Sequence, residues 1–215
     1  MVTKQKLKQI VNDVIDDKAE EIVRISKTIL ENPEPGYREE KTAKLVSEVF
    51  SQAGIEHRTG IALTGLKGEF KGGSNGPTVG VIGELDSLVV SEHPHADGET
   101  SAAHACGHHC QIGMMLGAAF GLMNSGVQPH LSGRLALFAV PAEEFIEIEY
   151  RDDLRISGKV EFLGGKPEFI RLGEFDDVDM ALMCHTTSIA SEKKLCISDT
   201  NNGLVAKRIK FIGKG

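Results

Sequence analysis

Tryptophan is absent from the 215 residues, and aromatic rings come only from nine Phe and two Tyr. Stacking platforms for nucleic-acid bases are therefore not expected. Positive charge is in deficit: 24 Lys and Arg face 31 Asp and Glu, a formal net charge of −7. A phosphate backbone is a poor partner for such a chain. No apolar run is long enough to span a bilayer, and Met1 to Lys8 is polar and basic with no apolar stretch behind it. The expectation is no membrane span, no secretory leader and a cytoplasmic location. Cysteine is scarce, at four residues. In a reducing compartment these do not form a disulfide framework, so each is a free thiol, a ligand or a core residue.

What is present is ordinary globular composition and clear periodicity. Leu7, Ile10, Val11, Val14 and Ile15 fall at helical spacing, continued by Ile22, Ile25, Ile29 and Leu30. This predicts one long helix, or two joined near Asp17, stopped by Asn32-Pro33-Glu34-Pro35-Gly36. A second helical stretch runs from about Arg38 to Ala53, with Gly54 at its end. Leu66 to Phe70 reads as a strand and Gly72 to Pro77 as a turn. Thr78 to Leu85, Arg134 to Val140 and Met180 to Cys184 read as buried strands. Gly107 to Met123 reads as a buried helix, and Lys194 to Ser198 and Leu204 to Phe211 as further strands. Alternating strands and helices indicate an α/β domain with a largely parallel sheet.

In such sheets ligands gather beyond the carboxyl ends of the strands. Glu84 and Asp86 follow one apolar run, Glu143 and Glu144 another, and His185 a third. His104-Ala105-Cys106-Gly107-His108-His109-Cys110 lies just before a helix. Cysteine, imidazole and carboxylate on one edge form a transition-metal set, zinc first. Cys106 and His108, two apart, share a side of an extended segment, and the helix start favours a thiolate at Cys106. Adjacent Glu143 and Glu144 diverge, so one can bind metal while the other serves as general base. His185 lies nearer its strand end than Cys184 and is the better ligand.

The competing readings are structural. Cys106 and Cys110 with His108 or His109 could hold a closed structural zinc, although Cys110 falls inside an apolar helix where a buried thiol is the commoner meaning. Asp86 is either a partner for a ligating His or a helix cap. Glu84 is read as structural, His93 and His95 as surface residues, and His57 and His130 as structural.

At these residues the chain resembles a family. It is similar to the amidohydrolases that include hippurate hydrolase, N-acyl-amino-acid amidohydrolases, aminobenzoyl-glutamate hydrolase and the plant auxin-conjugate hydrolases, within the aminoacylase and carboxypeptidase superfamily of metallo-exopeptidases. The matching elements are Asn32-Pro33-Glu34 with Gly36-Tyr37, Gly83 to Leu88, His104 to His108, Leu116 to Ala119, Pro141-Ala142-Glu143-Glu144, and Asp177-Val178-Asp179 leading to His185. The resemblance implies a three-layer αβα fold. It implies Cys106, His108, Glu144 and His185 as ligands of one or two divalent ions (zinc first, then manganese, cobalt or nickel), with Glu143 as general base. The implied substrate is a small N-acyl amino acid or dipeptide-like amide, with neither nucleic acid nor membrane as partner, and the full-length protein is expected to be a homodimer.

The sequence also departs from the family. His109 stands where the family has Asp, and Gln111 where it has His; His109 is therefore a candidate extra ligand. Phe145 to Lys159 resembles an insertion, with alternation that predicts an edge strand or ribbon. Residues 1–204 read as the first segment of the catalytic domain and 205–215 as the start of a lid and dimerisation domain. A further metal-binding His and a lid His would follow Gly215. The alternative to a hydrolase is an inactive metal-binding or assembly protein, or an inactive fragment, that keeps the fold.

Overall fold

The computed structural model describes residues 2–187 together with 197, 203, 209 and 211–214. Helix α1 (Lys4–Asp17) starts where the Thr3 hydroxyl accepts the Lys6 N–H at 3.2 Å, which satisfies one of the free amides of the first turn. The chain breaks at Lys18 and resumes as α2 (Ala19–Leu30), so the predicted joint near Asp17 is real. Helix α3 (Glu40–Gln52) is capped from outside: the Glu34 carboxylate accepts the Lys41 and Thr42 N–H groups at 3.0 and 2.9 Å. It ends in a Schellman motif, with Gly54 at φ +72°, Ile55 N–H on the Phe50 carbonyl and Gly54 N–H on the Ser51 carbonyl.

Strands β1 (Glu56–Ile61) and β2 (Gly65–Lys71) form a hairpin. Then come β3 (Ser74–Glu84), the two-residue strands β4 (Leu88–Val89) and β5 (Ala102–Ala103), and helix α4 (His108–Asn124). Strand β6 (Ser132–Val140), helices α5 (Ile148–Ile156) and α6 (Gly165–Arg171), and strand β7 (Met180–Met183) complete the described part. The main sheet has the order β1-β2-β6-β3-β7. It is mixed: β6, β3 and β7 run parallel, while β1 and β2 are antiparallel.

Alternation along β6 explains the three layers. Leu135, Leu137 and Ala139 pack with Ile25, Phe50 and Leu116 on one face. Ala136, Phe138 and Val140 pack with Leu154 and Phe169 on the other. A strand with both faces covered must be apolar throughout, as its sequence is.

Several expectations are corrected. Strand β1 gives no apolar signal, because its Glu-His-Arg-Thr-Gly-Ile sequence is polar and largely exposed. The predicted turn at Gly72 to Pro77 is shorter, since β3 already begins at Ser74. The 145–159 stretch is no ribbon. It forms α5, because Arg151 and Leu154, three apart, share a buried helix face. Strand β7 is exposed along all four residues, pairing only with β3 among the described residues. Apolar composition alone cannot tell whether a strand is covered. The strands predicted at 194–198 and 204–211, and the boundary at 204/205, lie largely outside the described residues.

Phe138 is fully buried and stacks on Phe175 at 4.4 Å between ring centroids. Phe138→Ala should cost about 3–5 kcal/mol, measured as a lowered denaturation midpoint at unchanged slope.

Candidate metal centre and active site

The carboxyl ends of the parallel strands bring the site together. Strand β3 ends at Glu84, which is buried, and continues to Asp86, also fully buried. Strand β6 ends at Val140, and the chain turns through Ala142 at φ +51° to present Glu143 and Glu144. Helix α4 begins with His108. The residue before it, Gly107, has φ +96°, and a side chain there would collide with the Thr186 hydroxyl. Only glycine fits both demands. That hydroxyl donates to the Cys106 carbonyl at 3.1 Å, which ties the segment after β7 to the Cys106 loop.

His108 is central. Its Nδ1–H donates to the Asp86 carbonyl at 2.8 Å, and the Asp86 carboxylate lies 3.3 Å from the same nitrogen. Nε2 therefore faces the site, 3.0 Å from Glu84, 3.7 Å from Glu143 and 3.8 Å from Glu144. Cys106 Sγ lies 3.4 Å from His185 Nε2. Two sets of donor atoms lie within 4.8 Å of one another: Cys106, His108 and His185, and Glu84, His108 and Glu143. The Asp86 carboxylate also accepts the Glu144 N–H at 2.9 Å, so Asp86 fixes a ring and a carboxylate-bearing backbone together. That arrangement matches the partner role rather than a helix cap.

The buried donors fit a cation. Nε2 of His108, Oε1 of Glu144 and Oδ1 of Asp86 are buried without a hydrogen-bond partner. Such groups are costly unless something else satisfies them. The two donor sets share His108 Nε2, which can bind one ion only. The Glu84 side already holds a positive charge, because the Lys166 ammonium pairs with Glu84 and lies 3.5 Å from Glu143.

Charge states follow from the surroundings. Burial opposes ionisation of Glu84, but His108 and Lys166 hold it down at about 2. Burial opposes the charged form of His108, but Asp86 and Glu84 outweigh it and raise the imidazole to about 10. Burial, then Glu144, Glu143 and Glu84, push the Cys106 thiol up to about 12. Burial first, and then the nearby carboxylates, oppose the thiolate that the helix start favours. Burial, then Glu84, raises Glu143.

The remaining candidates stand apart. The His109 ring turns toward His104, 5.4 Å between centroids, and toward Cys110 Sγ at 3.2 Å, and neither His109 nor Cys110 joins a donor set among the described residues. Gln111 accepts the Glu84 N–H at 2.6 Å and so serves the strand end. Burial, then His109 and His108, lower His104 to about 3, so it is neutral. Three contributors are missed or undervalued by sequence reasoning. Glu84, read as structural, faces His108; its position two before Asp86 on one strand side was the available signal. Lys166 is the second residue of α6 and follows a Gly-Gly pair. Arg151, fully buried, donates to the Ala142 carbonyl at 3.2 Å and lies 4.0 Å from Asp86. Together with Glu39, which accepts the Ala142 N–H at 2.7 Å, it clamps the turn that presents Glu143.

The sequence is 32% identical over 188 residues to thermostable carboxypeptidase 2 of Saccharolobus solfataricus, covering 86% of this chain and 42% of that protein. It is 30% identical over 204 residues to hippurate hydrolase of Campylobacter jejuni, covering 91% and 47%. Over this length the chain is homologous to amidohydrolases and carboxypeptidases. It spans less than half the length of these relatives. The fold matches a dinuclear metal-binding peptidase of the M20 family from Bacillus subtilis, with a TM-score of 0.61 at 23% identity over 77% of this chain and 42% of that one. No family model matches the sequence. No helix among the described residues is long and apolar enough to cross a membrane.

A pH dependence follows. His108 at about 10 and Cys106 at about 12 both carry protons at neutral pH, and a metal must displace them. Affinity for a divalent ion should rise with pH from neutrality toward 10, about tenfold per pH unit for each proton released. Calorimetric titration in buffers of different ionisation enthalpy measures that release.

Proposed function

We propose that the protein hydrolyses an amide bond in N-acyl amino acids or peptide-like substrates. In this reading Cys106, His108, Glu144 and His185 hold a divalent ion and Glu143 is the general base. The observation that carries it is the convergence on His108 Nε2: Glu143 and Glu144 approach the same nitrogen from one turn, with Cys106 and His185 in contact beside it. The kinship with a carboxypeptidase and a hippurate hydrolase supports the same chemistry.

A divalent ion bound there supplies Lewis acidity toward the amide carbonyl and lowers the pKa of water. Zinc suits the sulfur and imidazole donors best, with manganese, cobalt or nickel as alternatives. Glu143 takes the proton of the attacking water and passes it to the leaving nitrogen. Its raised pKa, caused by burial and by Glu84, makes it a stronger base than a solvated carboxylate. Lys166, 3.5 Å away, opposes that rise. Asp86 holds His108 in the tautomer that leaves Nε2 free to ligate. We place the reaction in the cytoplasm and read the full-length protein as a homodimer.

Glu143→Gln should reduce hydrolysis of N-acyl amino acids by 100-fold or more, on the order of a lost general base, while metal content stays unchanged. Glu144→Gln should lower metal content as well. Metal analysis beside a turnover assay separates them: metal lost with Glu143→Gln and kept with Glu144→Gln reverses the two roles. A metal-loaded protein that hydrolyses no amide in a broad panel ends the hydrolase reading.

A further inference from the structure

We propose that the cavity beside Glu143 is a subsite for an apolar group, aryl or branched alkyl, flanking the scissile amide, with Phe145 and Phe162 as its specificity-determining walls. This rests on the hydrolase reading above. The cavity has a volume of about 450 Å³ and is lined by Glu143, Phe145, Phe162, Leu163, Lys166 and Pro167, among others. That is room for a ring or a branched chain within the usual range of ligand pockets. Glu143 and Lys166 belong both to this cavity and to the cluster around His108. The space is therefore continuous with the chemistry.

The construction of its wall is the stronger argument. Phe145 and Phe162 remain 47% and 43% exposed, so neither ring completes the core. Yet the segment that carries Phe162 is held at four backbone groups. The Tyr37 hydroxyl donates to the Phe162 carbonyl at 2.8 Å, and Arg151 donates to the Leu163 carbonyl at 2.9 Å. The Glu168 carboxylate accepts the Glu161 and Phe162 N–H groups at 3.1 and 2.9 Å. Arg151 and Glu168 are themselves 0% and 1% exposed. Burying charged groups is costly, and here the result is a rigid mount for a ring left half in water. A preformed apolar wall beside a general base is what positioning of an apolar substrate group requires.

The test uses two measurements on the metal-loaded full-length protein. First, saturation-transfer NMR follows benzoate, with acetate as control. Wild type should bind the benzoate ring, and Phe162→Ala and Phe145→Ala, checked for folding by thermal melting, should weaken that binding. Second, kcat/KM is compared for N-benzoylglycine and N-acetylphenylalanine, each relative to N-acetylglycine. Phe162→Ala should lower one of these ratios by about tenfold or more, as expected when an apolar wall is removed. A fall for the benzoyl substrate places the group on the acyl side, and a fall for the phenylalanine substrate places it on the amine side. Unchanged ratios with both variants overturn the proposal. So does a wild type that does not bind benzoate, the result expected if another segment of the chain fills the cavity. If Phe162→Ala abolishes benzoate binding while no amide is hydrolysed by any form of the protein, the subsite stands and the hydrolase reading falls.

Discussion

The Nδ1–H of His108 is bound to Asp86, and most of the site follows from that one hydrogen bond. With Nδ1 occupied, Nε2 is the only nitrogen free to ligate, and the start of α4 aims it across the strand ends. The Asp86 carboxylate reaches on to the Glu144 amide, so strand β3, helix α4 and the turn after β6 share one register. A shift in any of them would separate His108 from Glu143 and Glu144. The positive φ of Ala142 is a local cost of holding that register, and the positive φ of Gly107 is one that glycine takes without strain. Glu39 and Arg151 stabilise the first through its peptide groups, and Thr186 packs against the second.

Charge is the other constraint. Glu84, Asp86, Glu143 and Glu144 crowd one imidazole, and Glu39 is buried near Asp86; its burial, then the Asp86 charge, push it up to about 7. Like charges at this density favour protonation unless cations answer them. Lys166 answers on the Glu84 side, and Arg151 lies close to Asp86. Among the described residues no Lys or Arg pairs with Cys106 or Glu144, and the Glu144 carboxylate lies 3.8 Å from the His108 ring. A divalent ion there would stabilise the Cys106 thiolate, which burial and the nearby carboxylates oppose.

Much of this is legible in the sequence because it lies at strand ends. Strands β3 and β6 are apolar runs, and the residues that break them are the chemical ones, Asp86, Glu143 and Glu144. Cys106 and His108 are legible through their spacing, and the joint near Asp17 through periodicity. The rest depends on long-range packing. Lys166 meets Glu84 across 82 residues, and Arg151 reaches Asp86 from a helix whose short alternating stretch reads as a strand. Burial of Glu84 cannot be read from a lone carboxylate at a strand end. Nor can the exposure of β7 be read from Met-Ala-Leu-Met, since apolar residues do not state what covers them.

In the proposed reading a divalent ion is held on the Cys106 side of His108. X-ray absorption spectroscopy on the zinc-loaded protein tests it most directly. A sulfur scatterer at about 2.3 Å is expected beside nitrogen and oxygen scatterers at about 2.0–2.2 Å, with the sulfur shell lost in Cys106→Ser. A first shell of nitrogen and oxygen alone in the wild type would contradict it and move the metal to the Glu84 and Glu143 carboxylates.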